Sequence, residues 1–148
     1  MLDQLLFVCV AALVIVGFYR YTVGIHRAWA EEEAERVGLD AESRGIGTIA
    51  RGTYRGVHVW LALSGRRVTE GEAKLVDAAE PPTVEEFRDA KALFGGTHFK
   101  RDAVWAEFPR SKPNDPIERY ADALVVVATF AARRSPEELY RLDHVEEE

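Results

Sequence analysis

The chain has 148 residues, with 19 basic and 25 acidic side chains and a formal net charge of −6. This length suits one domain of ordinary size, and the acidic balance argues against nucleic acid as a partner, because general nucleic-acid binding depends on a basic surface. Arginine accounts for 15 of the 19 basic residues. That bias correlates with GC-rich bacterial coding, so we expect a bacterial protein.

The N-terminal stretch Leu5–Tyr19 has neither a charged nor an amide side chain, and Arg20 follows it. A helix over this stretch is about 22 Å long, and one extended to Val23 is about 28 Å long. The hydrocarbon core of a bilayer is about 30 Å thick, and a long arginine stem can carry its guanidinium to the headgroups. We therefore predict that a helix from Leu5 to Val23 spans the lipid bilayer.

This stretch has two alternative interpretations. A cleaved signal peptide normally has basic residues before its apolar run and small residues after it, whereas the early charge here is Asp3 and the run ends in Gly17-Phe18-Tyr19. A buried core helix can also be this apolar, but the rest of the domain would have to enclose it on every side. The membrane span is favoured over both.

The flanking charges predict the orientation of the span. No Lys or Arg precedes it, while Arg20, Arg27 and Arg36 follow it. Because cytoplasmic flanks carry the excess of basic residues, we expect a single-pass protein of the bacterial inner membrane with its domain in the cytoplasm. The single cysteine, Cys9, lies within the apolar stretch, so no intramolecular disulfide can form.

Good helix formers continue beyond the span to Val37, and Gly38 is a typical helix stop. The acidic cluster Glu31–Glu35 within this segment is better explained as a solvated helix face than as a partner site. We place the transmembrane anchor and juxtamembrane helix at residues 1–37 and a soluble domain at residues 38–148.

Two β-rich runs, 48–54 and 57–63, are separated by Arg55-Gly56, which is the spacing of a tight hairpin. Alternation along the second run predicts a core face made of Val57, Val59, Leu61 and Leu63. The glycines around these strands do not form a Gly-x-Gly-x-x-Gly or Gly-Lys-Ser/Thr pattern, so no nucleotide-binding loop is expected.

A capping-box pattern at Thr69 and Glu72 predicts a short helix that ends at Pro81-Pro82, and a second hairpin around Glu70-Gly71 is the alternative. A clearer box follows at Thr83 and Glu86. It predicts a helix that ends at Gly95-Gly96, followed by a pair of strands over 97–100 and 103–108.

The best-marked helix follows, with Asp115 as the predicted N-cap, Pro116 at the first helical position and Glu118 completing the box. Its apolar stripe is Ile117, Tyr120, Ala121, Leu124, Ala128 and Ala131. Further apolar residues, 125–127 and Phe130, cover most of the remaining circumference. Such a helix is either central to the domain or has one face on a partner or the bilayer.

A last short helix is predicted from Ser135-Pro136, followed by a charged tail over 143–148 that is expected to fray. The order of elements predicts an α+β fold: an N-terminal transmembrane helix followed by one small domain with antiparallel β-hairpins packed on helices.

The residues that could carry chemistry are few. The histidines, His26, His58, His98 and His144, lack the spacing of metal ligands, so neither a metal nor a cofactor is expected. His58 and His98 lie in predicted strands and could meet as acid and base, with Asp102, Glu107 or Tyr54 nearby. Chance produces such pairs in any chain of this length, so the catalytic residues stay unknown.

Trp60 and Trp105 could line a ligand pocket, but core packing is the preferred interpretation. Short basic patches could contact lipid headgroups or could be ordinary solvated turns; they are Arg66-Arg67, Lys100-Arg101, Arg110 with Lys112, and Arg133-Arg134.

Three functions remain open. The first is a non-catalytic accessory or assembly subunit whose cytoplasmic domain binds a protein partner, and the apolar helix 115–134 motivates it. The second is a membrane-tethered sensor that holds a small ligand between sheet and helices. The third, least favoured, is a membrane-surface hydrolase or transferase built on His58 and His98.

Overall fold

The structure is a computed structural model that describes residues 1–144 of the chain. Ten elements follow one another in this order: α1 (Leu2–Arg36), β1 (Asp40–Arg44), β2 (Gly47–Tyr54), β3 (Val57–Ser64), β4 (Arg67–Lys74), α2 (Val84–Lys91), β5 (Thr97–Phe99), β6 (Ala103–Glu107), α3 (Ile117–Ala131) and α4 (Pro136–His144). The predicted α+β class is confirmed.

The first helix, α1, has two halves with opposite surroundings. None of its most apolar 18-residue window is buried, and the helix is long and apolar enough to cross a membrane. This exposure excludes the buried core helix. The downstream half is different, because Ala30, Glu33 and Ala34 are buried against β1 and β2. The helix ends at Arg36, with Gly38 in the left-handed region beyond it, as predicted.

The strands form one antiparallel sheet in the order β1-β2-β3-β4-β6-β5. Arg55-Gly56 joins β2 to β3, as predicted, and Gly65-Arg66 joins β3 to β4. All four of these turn residues have positive φ, which is the backbone of a type I′ hairpin. β1 was not predicted, because Asp40–Arg44 contains no strongly apolar side chain.

Residues Arg67–Lys74 form strand β4 instead of the predicted helix. The predicted helix from Thr69 is wrong, and so is the alternative hairpin around Glu70-Gly71. The Thr69 hydroxyl donates to the Ala62 carbonyl oxygen across the strands instead of capping a helix. Residues 70–73 of β4 pair with β3 on one side and with β6 on the other. This cross-strand pairing outweighs a weak local helix signal.

Helix α3 packs across one face of the sheet, and eleven of its fifteen residues are buried. All six residues of its predicted apolar stripe are among them. A Cβ atom added at Gly71 of β4 would lie 2.7 Å from Leu124 Cδ1 and 2.8 Å from Leu61 Cδ2. Any larger residue at position 71 would therefore force the Leu124 and Leu61 side chains to shift. On the outer side of α3, Phe87 of α2 stacks on Phe130 with ring centroids 4.3 Å apart.

The start of α3 differs from the prediction by one residue. Pro116 is the N-cap and has no side-chain capping bond. Asp115 instead accepts hydrogen bonds from the Lys112 backbone N–H (3.0 Å) and the Tyr120 hydroxyl (2.7 Å). These two bonds, the backbone one first, hold the pKa of Asp115 below its usual range. Burial, and then the bond to Asp115, raises the pKa of Tyr120 to about 12.

A carboxylate from α1 supplies the cap that Asp115 does not. Glu33 is 7% exposed, and its Oε2 accepts the backbone N–H of Ile117 at 3.2 Å. Its Oε1 pairs with Arg36 at 2.9 Å. The juxtamembrane part of α1 is thereby fixed to the first turn of α3, where a negative charge also suits the helix dipole.

The predicted capping box, second strand pair and last short helix are present, but α2 ends at Lys91, four residues before the predicted stop at Gly95-Gly96. Thr83 and Glu86 make both bonds of the capping box at the start of α2. Strands β5 and β6 form the predicted second pair, and α4 begins at Pro136. Residues 145–148 of the predicted charged tail lie outside the described residues.

Candidate functional site: the open face of the sheet

The helices α1 and α3 pack on the same side of the sheet as the buried row Ala50, Leu61 and Gly71. The opposite side, here called the open face, carries the side chains that alternate with this row. One register row crosses all six strands on the open face: Asp40, Arg51, Trp60, Glu72, Trp105 and His98.

Trp60 stands near the middle of the open face and is half-buried. Depressions lie on both sides of it, with volumes of about 380 Å³ and about 390 Å³. Arg51 and Trp60 line both, while His58 and Lys74 belong to the first and Ile49 to the second. The open face is therefore concave on either side of an aromatic ridge.

The predicted core packing of Trp60 and Trp105 is wrong. Both side chains are half-buried and neither belongs to the hydrophobic core. The reason is the period of the strand: Val59 and Leu61 point inward, so Trp60 between them must point to the open face. Trp105 shares that face because it pairs with Glu72, which in turn pairs with Trp60.

Some charged side chains of the open face make ion pairs, and others do not. Arg51 pairs with Glu42 at 2.9 Å, and Lys100 pairs with Glu72 at 2.7 Å. Glu70 and Glu107 stand directly opposite each other in register on β4 and β6. Within residues 1–144 neither carboxylate makes an ion pair. Like charges directly opposite each other destabilise a sheet, so we expect the register of Glu70 and Glu107, here called the carboxylate pair, to lower the stability of the sheet.

The suggested acid–base pair of His58 and His98 does not form. His58 lies on β3 and His98 on β5, three strand spacings apart in the sheet order, or about 14 Å. Each ring has its own neighbour: His58 Nδ1 is 3.4 Å from Thr53 Oγ1, and His98 stacks on Trp105 at 5.2 Å. One bridging water cannot join rings this far apart.

The other acid–base candidates do not complete such a site. The Tyr54 side chain lies on the covered side of the sheet and donates to Asp122 Oδ1 at 2.8 Å. Burial and this bond raise the pKa of Tyr54 to about 12. Asp102 lies at the bend between β5 and β6, where its backbone oxygen accepts the Leu75 N–H. Glu107 belongs to the carboxylate pair.

Over the part of the chain that is described, no three or more His, Cys, Asp or Glu side chains come together as metal ligands.

The predicted basic patches separate into two groups. Arg66-Arg67 and the 110–112 segment meet at one end of the sheet, where Asn114 N–H donates to the Arg66 oxygen at 2.9 Å. Lys100 is held by Glu72 and Arg133 by Asp77, in contacts elsewhere on the domain.

Comparison of the chain with protein-family models, with curated proteins and with solved structures finds no match. The sequence analysis missed the carboxylate pair, because the opposition of Glu70 and Glu107 becomes visible only when β4 and β6 are placed in register.

Proposed function

We propose that the protein is a single-pass membrane protein whose domain binds another protein through the open face of the sheet. The partner presents a segment that carries Lys or Arg beside apolar side chains. The span runs from Leu5 to Val23, and the basic flank at Arg20 and Arg27 favours a cytoplasmic domain. This is an accessory or assembly role without catalysis.

The observation that carries this proposal is the carboxylate pair beside an aromatic ridge. Glu70 and Glu107 lie opposite each other in register, and neither makes an ion pair within residues 1–144. Trp60 and Trp105 lie one register row away. A basic side chain from a partner would remove the repulsion between the carboxylates. Half-buried tryptophans provide large, rigid contact areas and are enriched where interface energy concentrates.

The partner surface considered from sequence, helix α3, is not available for this role. The described domain covers it, and Val126 and Asp122 are the residues of its last three turns that keep partial exposure. The surface that remains open to a protein partner is the opposite side of the sheet.

A small-ligand sensor is less well supported. The sensor hypothesis needs space between sheet and helices, but where α3 crosses β4 even one methyl group on Gly71 would collide with Leu124. The depressions beside Trp60 lie on an open surface, whereas ligand pockets bury most of their ligand. A protein partner with a broad surface would contact more of the open face than a small ligand would.

Site-specific photo-crosslinking in native membranes tests the proposal. A photoreactive residue replaces Ala62, which is half-buried on the open face in register with Glu70. The control replaces Ala79, which is exposed outside the sheet. We expect a crosslinked protein from position 62 alone, joined through a peptide that contains Lys or Arg beside apolar residues.

Charge reversal identifies the contact. Glu70→Lys with Glu107→Lys should abolish the crosslink from position 62. Glu85→Lys with Asp89→Lys, on the exposed surface of α2, changes the net charge equally and should leave it intact. A crosslink that survives the first pair, or that appears equally from position 79, would refute the proposal.

A further inference from the structure

One end of the sheet lies beside α1 just below the predicted span. The turn at Ile46 between β1 and β2 and the turn at Gly65-Arg66 between β3 and β4 share a small cavity with His26 and Ala30 of α1. The segment that leads into α3 joins the same end, because the Ser111 hydroxyl donates to the Val68 carbonyl oxygen at 2.5 Å.

The length of α1 sets the depth of this end. His26 is three residues beyond Val23 and Ala30 is seven, which corresponds to about 5–10 Å along the helix axis. The headgroup layer extends about 5–7 Å beyond the hydrocarbon core on each side. Because Glu33 fixes α1 to α3, the turns around His26 are held at the level of the headgroups.

Basic side chains collect at this end of the domain. The basic rim consists of Arg44, Arg66, Arg67, Arg110 and Lys112. All but Arg66, which is half-buried, are exposed, and within residues 1–144 none makes an ion pair. Asp115, the acidic residue of the neighbouring loop, already accepts two hydrogen bonds. The rim is thus a basic surface on a chain of net charge −6.

Two details at the rim point to a membrane surface rather than to water. Ile46 stands at the tip of its turn with 67% of its surface exposed. His26 Nδ1 and Arg66 Nε are buried beside the shared cavity and have no hydrogen-bond partner in the described structure. The cavity measures about 10 Å³, which is room for about one water-sized group, such as a single phosphate oxygen.

We infer that the basic rim docks on the headgroups of anionic phospholipids and holds the domain in one orientation against the membrane. This inference rests on the proposed anchoring by α1. The two are consistent, since the cytoplasmic leaflet favoured by the flanking charges is the leaflet rich in anionic lipid.

The test uses the full-length chain reconstituted in bilayers of phosphatidylcholine, with and without phosphatidylglycerol. A nitroxide on Ile46→Cys, in a Cys9→Ala background, reports the depth of the rim through its accessibility to an aqueous nickel chelate. We expect this accessibility to fall several-fold when phosphatidylglycerol is present. High salt should reverse the fall, because the attraction is electrostatic. Inorganic phosphate added to pure phosphatidylcholine should not reproduce it.

Matched triple variants locate the effect. Arg66→Asn, Arg67→Gln and Lys112→Gln should abolish the dependence on phosphatidylglycerol. The control is Arg55→Asn, Lys74→Gln and Arg101→Gln, which removes equal charge from the opposite end of the sheet and should preserve the dependence. Asparagine is matched in both, because Arg55 and Arg66 each hold a positive φ in a two-residue turn.

A nitroxide on the native Cys9 separates the inference from the proposal beneath it. If that label is not in the hydrocarbon, the anchoring itself fails. If it is, equal accessibility of the Ile46 label in both lipid mixtures overturns the docking inference alone. An equal response of the two triple variants overturns it as well.

Discussion

The two faces of the sheet are built from the same strands, one residue apart, and they follow different rules. On the covered face Ala50, Leu61 and Ala106 have no exposed surface, and glycine at position 71 lets α3 approach. One residue along each strand, the open face carries a mixture of tryptophan, arginine and glutamate. The covered face is arranged for packing, whereas the open face keeps a pair of opposed carboxylates that folding alone would not favour.

The largest expected difference between the two faces is in the free energy of unfolding after substitution of the neighbours Leu61 and Trp60. Leu61→Ala should lower the free energy of unfolding by about 2–5 kcal/mol, because it removes a fully buried side chain and leaves a cavity. Trp60→Ala, on the open face, should lower it by about 1 kcal/mol and should abolish the crosslink from position 62. Urea unfolding of the full-length protein in detergent, followed by circular dichroism, measures both.

Equal destabilisation by the two substitutions would contradict the assignment of the faces. It would mean that Trp60 is covered in the native protein, which removes the open face as a docking surface.

Glu33 stabilises the edge of the covered face, where α1 meets the start of α3. Glu33→Ala removes the acceptor of the Ile117 N–H at the start of α3, and an unpaired buried N–H costs about 1–3 kcal/mol. Glu33→Gln keeps an oxygen acceptor and loses the pair with Arg36, so its cost should be clearly smaller. The same urea titration compares the two. If both substitutions cost the same, the charge of Glu33 matters and its capping bond does not.

Local signals predict the structure correctly where they act within a few residues of the chain. The turn Arg55-Gly56 and the capping box of Thr83 and Glu86 need only their immediate neighbours. The pattern at Thr69 and Glu72 resembled that box, but cross-strand pairing of β4 overrode it. The predicted cap at Asp115 was wrong for a related reason, because Glu33, distant in sequence, accepts the Ile117 N–H at the start of α3.

The candidate site was harder to predict than the fold. The alternation of Val57, Val59, Leu61 and Leu63 already placed Trp60 on the opposite side, and that signal was available. The opposition of Glu70 and Glu107 was not, because it depends on the register between two strands whose facing residues are more than thirty positions apart in sequence. The depth of the basic rim could not be predicted either, because it depends both on the length of α1 and on the attachment of α1 to the sheet.

The smallest expected effect concerns the carboxylate pair and has the opposite sign to the others. Glu107→Gln should raise the free energy of unfolding by about 0.2–1 kcal/mol, because it removes the repulsion from Glu70. Glu72→Gln, in the next register row, should lower it by a similar amount, because Glu72 pairs with Lys100. Both effects should shrink in high salt, where exposed charges are screened. If Glu107→Gln instead destabilises the domain, Glu107 has a stabilising partner within the chain, and no partner protein is needed to explain the pair. If it stabilises the domain while weakening the crosslink from position 62, the open face gives up stability in order to bind.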